Sequence, residues 1–468
     1  MTAIVTSQFR VLNAENFKED VSDSGTSVYV GIGKPDVWST NTADTSDTTP
    51  FTPQDTLDAI GEAYRNLIGL KLINASDISH VVPRYNWTFG NAYVAWDSDD
   101  ASIYDKRFYV LTSEFKVYKC VRAGTGASTI QPTQTLTDPQ SESDGYAWKY
   151  MYTIAVADAE KFLTISYMPV KTVSLDFASD AIAEANLSEG DYAQYLNQKS
   201  SRDSSTAMGI ERIEVLDGGT DYTSAPEVII TGDGIGASAT AIVSGGEVTG
   251  IVVNNKGTDY TVVNIEFSGG GGSDASARGV IAPAPGHGVD PVKELGAFFV
   301  EMNVQLQGSE DGDLTVGNDF RQVTLIKNPT DYGTTSISTA TTLKAMSYLN
   351  FAGGVSLTDY QDAIQLGDTL VQGQDSGALA YAVEVDTDLG YVYYTQNSKT
   401  GYQQFEDGEN VRVISGSTQG EWKLLDATSA IGTPELEPGS GQILFLENRD
   451  PINRTAQQIE DVKLIIEF

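Results

Sequence analysis

The pentapeptide Gly-Thr-Asp-Tyr-Thr stands at 219–223 and again at 257–261, 38 residues later. This repeat constrains the fold more than any other feature of the chain. Each copy follows an alternating stretch, Ile210-Glu-Arg-Ile-Glu-Val215 or Val248-Thr-Gly-Ile-Val-Val253, and precedes another at 227–231 or 262–267. Alternation of period two is the pattern of a strand with one buried face. Glycine-rich runs and small residues follow each copy, as turns require. Two copies are too few for a solenoid. The sharp change in composition over 209–288 therefore predicts one compact β module of two related halves, inserted into a host domain.

Outside that module the strand pattern continues. Strands are expected at 3–10, 26–33, 78–87, 108–121, 146–157, 295–306, 320–327, 442–447 and 462–468, and residues 41–53 read as a loop. Thr52 and Pro53 suit the start of a helix reaching Leu70, with apolar residues three and four apart. Residues 180–198 have helical character, and the polar run 199–205 reads as a break. Short strands at 367–371, 378–385, 390–395 and 408–413 suit a small barrel of SH3 or OB type. The expected fold is mainly β with minor α+β character. A discontinuous core of 1–208, 289–356 and 428–468 would carry two inserted small β modules, 209–288 and 357–427. Insertions of this length are expected on surface loops, where closure costs little entropy.

Charge narrows the partners. Sixty-four acidic residues against 29 basic ones give a formal net charge of -35, which repels phosphate backbones unless a basic patch concentrates. The densest candidate, Lys116 to Arg122, holds three cations among strand residues, so no nucleic-acid partner is expected. No window approaches a membrane span of about 18 apolar residues, and no membrane partner is expected. The N-terminal residues lack a signal-peptide pattern, so the reading is of a soluble protein made in the cytoplasm. The single cysteine, Cys120, fits a reducing compartment and reads as a buried, inert thiol.

Little in the chain points to catalysis. His80 lies in a strand pattern and His287 in a Gly/Pro loop. With one distant cysteine they form no zinc set, and there is no Gly-x-Ser-x-Gly elbow. Gly232-Asp-Gly-Ile-Gly236 leads into a strand, whereas a phosphate cradle opens a helix. The acidic turns Asp97-Ser-Asp-Asp100 and Glu310-Asp-Gly-Asp313 have calcium-like composition without an EF-hand spacing. No catalytic residue, cofactor or metal site is expected.

The segments outside the modules resemble a known family. They are Ala-Ile-Val-Thr-Ser-Gln-Phe-Arg at 3–10, Gly33-Lys-Pro-Asp-Val-Trp-Ser39, Val82-Pro-Arg-Tyr-Asn-Trp87 and Val117-Tyr-Lys-Cys120. Gly145-Tyr-Ala-Trp-Lys-Tyr-Met-Tyr152, Phe320-Arg-Gln-Val-Thr-Leu-Ile326, Asn328-Pro329 and Leu446-Glu-Asn-Arg-Asp-Pro-Ile452 follow in order, with a last strand ending at Phe468. Together they resemble the baseplate wedge protein family, gene product eight, of T-even-type contractile-tailed bacteriophages. That resemblance implies a non-enzymatic virion protein of the tail baseplate, assembled in the host cytoplasm. It implies a homodimer that joins other wedge proteins around a hub and takes part in triggering sheath contraction. The two modules are departures from shorter members; they are expected to meet tail fibres or neighbouring wedges. Trp38, Arg84, Tyr85, Trp87, Tyr146, Trp148 and Arg449 are residue types enriched at interface hot spots, and they are the candidate interface. Trp87 and Trp148 also fit core positions of alternating strands. A tail-associated polysaccharide-degrading enzyme, or a receptor-binding fibre-like protein, is the alternative.

Overall fold

The computed structural model describes residues 3–39, 47, 49–205, 208–310, 312–363, 369–415 and 418–468. The first part of the strand expected at 367–371 and part of the loop expected at 41–53 lie outside the described residues. Strands outnumber helices throughout, in several antiparallel sheets, so the chain is mainly β. It divides into two compact units, each discontinuous in sequence. One comprises Met1–Asn16, Ser79–Glu301 and Ile465–Phe468, and the other Phe17–Ile78 and Met302–Leu464.

In the first unit, strands Tyr109–Leu111, Lys116–Arg122, Ala147–Thr153 and Gln140–Ser141 form an antiparallel sheet in that spatial order. Val117, Met151 and Tyr152 on these strands pack with Phe108, Tyr109 and Phe298 in one apolar cluster. Strand Tyr167–Val170 pairs with residues 80–83. Helices Asp180–Asn186 and Glu189–Ser204 follow. Ser179 and Ser188 cap them by accepting the backbone N–H of Ile182 and Asp191, which satisfies donors a helix start otherwise leaves unpaired. The run 199–205 is thus largely the last turn of a helix, not a break. Gln198 explains this, because its buried amide bonds Val173 and Val289 and holds that turn in the interior.

The repeat builds one six-stranded antiparallel sheet. Its spatial order is Glu247–Asn255, Ser238–Ser244, Glu227–Gly232, Val263–Ser268, Ser273–Ile281, Ile210–Thr220. Exchanging each strand for its counterpart in the other repeat reverses that order without changing it. The sheet therefore has an internal two-fold relation, centred on the pair 227–232 with 263–268. The first strand of each half pairs with the third strand of the other, 210–220 with 273–281 and 247–255 with 238–244. Neither half is complete alone. The sheet also rolls until its two outer strands lie side by side, where the Ile210 N–H donates to the Lys256 carbonyl at 2.8 Å.

The pentapeptides occupy equivalent places. Gly219 and Gly257 have φ of +64° and +63°, and Asp221 and Asp259 have +64° and +62°. Asp217 and Asn255 each accept the N–H of the repeat glycine two residues on. Left-handed backbone suits glycine, and aspartate tolerates it. These turns swing Tyr222 and Tyr260 inward, where they are 6% and 4% exposed. Tyr260 centres one apolar cluster with Ile210, Ile213 and Ile265, and Tyr222 centres a second with Ala241 and Val248.

In the second unit, a five-stranded sheet runs Thr342–Lys344, Leu67–Leu72, Val28–Gly33, Asp319–Lys327, Gln442–Asn453. Tyr29, Leu67, Leu70 and Ile326 fill its core. The helix expected to run from Thr52 to Leu70 is Leu57–Arg65, capped by Thr56, and Leu67–Leu72 is a strand. Strand pairing on both sides of Leu67–Leu72 overrides helical spacing there. The strand expected at 3–10 is also corrected, since Ser7–Ser22 is a helix. Thr6 accepts the Phe9 N–H at its start, and the segment that follows is rich in good helix formers. Residues 347–432 contribute an eight-stranded antiparallel sheet with its own core, including Leu349, Val371, Val392 and Val411. That sheet recruits Ser347–Asn350 and Ile431–Gly432 from outside the expected 357–427.

Because the halves of the six-stranded module share strands, Tyr222→Ala and Tyr260→Ala should have similar cost, about 3–5 kcal/mol each. Urea unfolding of the full chain, followed by fragment-resolved hydrogen exchange over 209–288, checks this. A large cost at one tyrosine with none at the other would contradict the two-fold relation.

Candidate interaction surface and its buried charge networks

Two buried polar networks hold the β modules, and each draws its charges from distant segments. In the first unit, Lys119 lies between Tyr118 and Cys120 on strand Lys116–Arg122, and its side chain is 0% exposed. Its ammonium donates to Glu294 Oε2 at 2.9 Å and sits 4.5 Å from the centre of the Trp96 ring. Glu294 Oε1 accepts the backbone N–H groups of Gly288, Val289 and Asp290. His287 follows, with Nδ1 3.8 Å from Glu294 and Nε2 3.8 Å from Glu211, its ring edge-on to Trp96 at 5.2 Å. Glu211 then accepts Lys256 at 2.6 Å. The chain of groups runs from the interior outward, and side-chain exposure rises from 0% at Lys119 to 40% at Lys256.

Burial alone would raise the Glu294 carboxyl. Lys119 and His287 outweigh it and hold that carboxyl down to about 2. Burial lowers the Lys119 ammonium, and Glu294 opposes the shift. A second set of contacts reaches the same module. Arg278 engages Asp97 and Glu214, and Arg212 donates to the Trp96 and Val121 carbonyls. Asp97, read above as part of a calcium-like turn, is thus the carboxylate of an arginine network. Its neighbour Asp100 takes Lys106. Glu310, in the other acidic turn, takes Lys71. Among the described residues no group of three or more His, Cys, Asp or Glu could hold a metal ion.

In the second unit the buried carboxylate is Asp36, whose side chain is 0% exposed. It accepts Lys34 at 2.6 Å, Lys399 at 2.5 Å and the Asn397 amide at 3.1 Å. Lys34 has φ of +60°, a conformation costing a β-carbon residue about 1–2 kcal/mol. It is held there by its own N–H bond to the Asn66 carbonyl and by the ion pair. Around this centre the segment 397–402 grips residues 36–66. Asn397 also bonds Asn66, Lys399 bonds the Val37 carbonyl, and Tyr402 bonds Glu62 and stacks under Arg65.

The candidate interface residues fall into three places. Trp38 is buried, and its indole N–H donates to the Arg449 carbonyl at 2.9 Å, which brings those two together. The Arg449 side chain is half-buried. Tyr146 and Trp148 are 1% and 0% exposed, stacked at 5.7 Å, with Trp87 packed against their cluster. Trp87 is half-buried and donates to Ser128. Arg84 and Tyr85 are half-buried too; Arg84 bonds Asn86 and the Thr164 carbonyl, and Tyr85 packs on Tyr109. Tyr146 and Trp148 thus lie in a core cluster, whereas the side chains of Arg84, Tyr85, Trp87 and Arg449 each keep some exposed surface. Lys119, Glu211, His287 and Glu294, with Lys34, Asp36, Asn397 and Lys399, were not singled out as a site from sequence. The signal for the first set was Lys119 at the centre of a strand, flanked by the buried Val-Tyr and Cys-Val pairs.

The chain is thus a mainly β protein whose most perturbed charges join segments of its own fold. Residues 3–123 match the family model described as Phage-Gp8, bacteriophage T4 Gp8. Over that stretch the chain is similar to Gp8, a similarity that supports a structural role in a phage baseplate. A comparison with curated proteins finds no match. No helix among the described residues is long and apolar enough to cross a membrane.

Asp36→Ala strands two buried lysines and should cost about 3–5 kcal/mol. Lys399→Met leaves the Lys34–Asp36 pair intact and should cost clearly less. Chemical denaturation of the two full-length variants checks the order; equal losses would contradict a charge triad. Glu294 supplies a pH test. Its folded carboxyl lies below the unfolded value, so its stability contribution is present above about pH 4.5 and is lost as pH falls towards about 2. Glu294→Gln should flatten the stability profile across that window.

Proposed function

We propose that the protein is a structural subunit of a phage baseplate wedge. It pairs with a second copy, joins other wedge proteins, and takes part in the rearrangement that triggers sheath contraction. The observation that carries this reading is the Gp8 match over residues 3–123. That stretch supplies Lys34, Asp36, Trp96, Asp97 and Lys119, to which both β modules are bound. A subunit that transmits shape needs modules fixed in place and wide complementary surfaces, not a reacting centre. A two-fold dimer contact would be self-complementary, and Arg84, Tyr85, Trp87 and Arg449 are the proposed contact residues. The modules at 209–288 and 357–427 are proposed to meet tail fibres or neighbouring wedges.

Mass measurement of the purified chain in solution should give twice the chain mass of 50.2 kDa. Antibody labelling of purified virions should place it at the tail baseplate. A trimer, or absence from the virion, would sink the proposal. Trp87→Ala combined with Arg84→Glu should weaken self-association at least tenfold while leaving thermal stability within a few degrees. Unchanged association would remove these residues from the contact.

A further inference from the structure

We propose that an open cavity between the helix Glu189–Ser204 and the base of the six-stranded module is a binding site for a small hydroxylated anion, a sugar acid or sugar phosphate, held by Lys149 and His287. The cavity has a volume of about 320 Å³, at the lower end of the range for small-molecule sites. Its wall is polar. Thr137, Ser201 and Ser204 bring hydroxyls to it, and Asn254 and Asn255 bring amides. Such groups suit a ligand rich in hydroxyls.

The count of charges gives the sign of the ligand. Lys119, Lys149 and Lys256 stand at this junction against the carboxylates Glu211 and Glu294, while Asp138 lies at the exposed rim. Lys119 pairs with Glu294, and Lys256 with Glu211. That leaves Lys149, which is 1% exposed. Its ammonium donates to the Thr137 carbonyl and, at 2.9 Å, to the Ser201 hydroxyl; among the described residues no carboxylate lies within 4 Å of it. Burial, the largest cause, lowers this ammonium to about 8, so it is still charged at neutral pH. A buried charge without a countercharge is costly, and an oxyanion in the cavity supplies one. His287 lines the same cavity with its side chain 7% exposed, and neither ring nitrogen has a hydrogen-bond partner. The nearest carboxylates stand 3.8 Å from them, beyond hydrogen-bond reach. A neutral imidazole always carries one N–H, so the ring brings the cavity a buried donor that the protein leaves unused. The backbone keeps this space clear. Gly288 has φ of +85°, and a β-carbon there would come within 2.6 Å of Lys149 Cε.

Saturation-transfer NMR on the full-length protein tests the site with four probes: glucuronate, a glucose phosphate, glucose and inorganic phosphate. At least one of the two acids should bind, and the tighter of them identifies the oxyanion as carboxylate or phosphate. Glucose lacks the charge and inorganic phosphate lacks the hydroxyl-bearing carbons, so each should bind about tenfold or more weakly than that acid. Lys149→Met should weaken the acid by about tenfold or more. It should leave the melting temperature of the free protein unchanged or raised, because it removes an unpaired buried charge. Asn254→Asp, at an exposed rim position, sets a repelling charge at the mouth and should also weaken the acid; it decides alone if Lys149→Met fails to fold. No binding of either acid at millimolar concentration would overturn the site. So would glucose or inorganic phosphate binding as tightly as the acids, or an affinity that neither variant changes.

Discussion

The ion pair of Lys119 and Glu294 is the interaction on which the first unit turns. An ammonium with no exposed surface is tolerable only if a carboxylate accompanies it and the remaining donors and acceptors are satisfied. Glu294 meets that demand with three backbone N–H groups from residues 288–290, so the loop after the six-stranded module is folded around its carboxylate. His287 stands edge-on to Trp96, with this carboxylate and Glu211 of the module's first strand each 3.8 Å from a ring nitrogen. One buried lysine thereby ties strand Lys116–Arg122 to the loop after the module, while Arg278 on the module's strand Ser273–Ile281 binds Asp97.

The second unit reaches the same solution with the signs reversed. There a buried carboxylate, Asp36, is matched by one lysine from its own turn and one from residue 399. In both units, then, a stretch read from sequence as an insertion is bound by buried charge to residues within 3–123. Such networks add little net stability over apolar packing, but they penalise any other arrangement heavily, because a misplaced module strands a charge. For a part whose role is to hold shape, that penalty is the useful property.

Much of the fold is legible in the chain because half-buried strands alternate. The stretches at 227–231, 238–243, 263–267 and 320–327 lie on strands, and the single strand expected at 108–121 is two, Tyr109–Leu111 and Lys116–Arg122, joined by a turn. The repeat revealed its two halves as well, but not that they exchange strands, since pairing between residues 60 apart leaves no local mark. Leu67–Leu72 was misread because its apolar spacing fits a helix until neighbours on both sides claim it as a central strand. The charge networks were harder still. Lys119 and Glu294 are 175 residues apart, and Asp36 and Lys399 more than twice that distance. What could be seen was a lysine amid Val-Tyr-x-Cys-Val, a residue too costly to bury alone. The aromatic residues chosen as an interface show the opposite limit, because Trp148 and Trp87 look alike in sequence and differ in whether surface remains.

Amide hydrogen exchange of the intact protein at neutral pH tests the central claim most directly, namely that the six-stranded module is locked to the unit that bears it. Strands Ile210–Thr220 and Ser273–Ile281 should be protected to the same degree as strand Lys116–Arg122 and should lose that protection together with it as denaturant is added. If the module's strands exchange as a separate, weaker body while Lys116–Arg122 stays protected, buried charge does not fix the module.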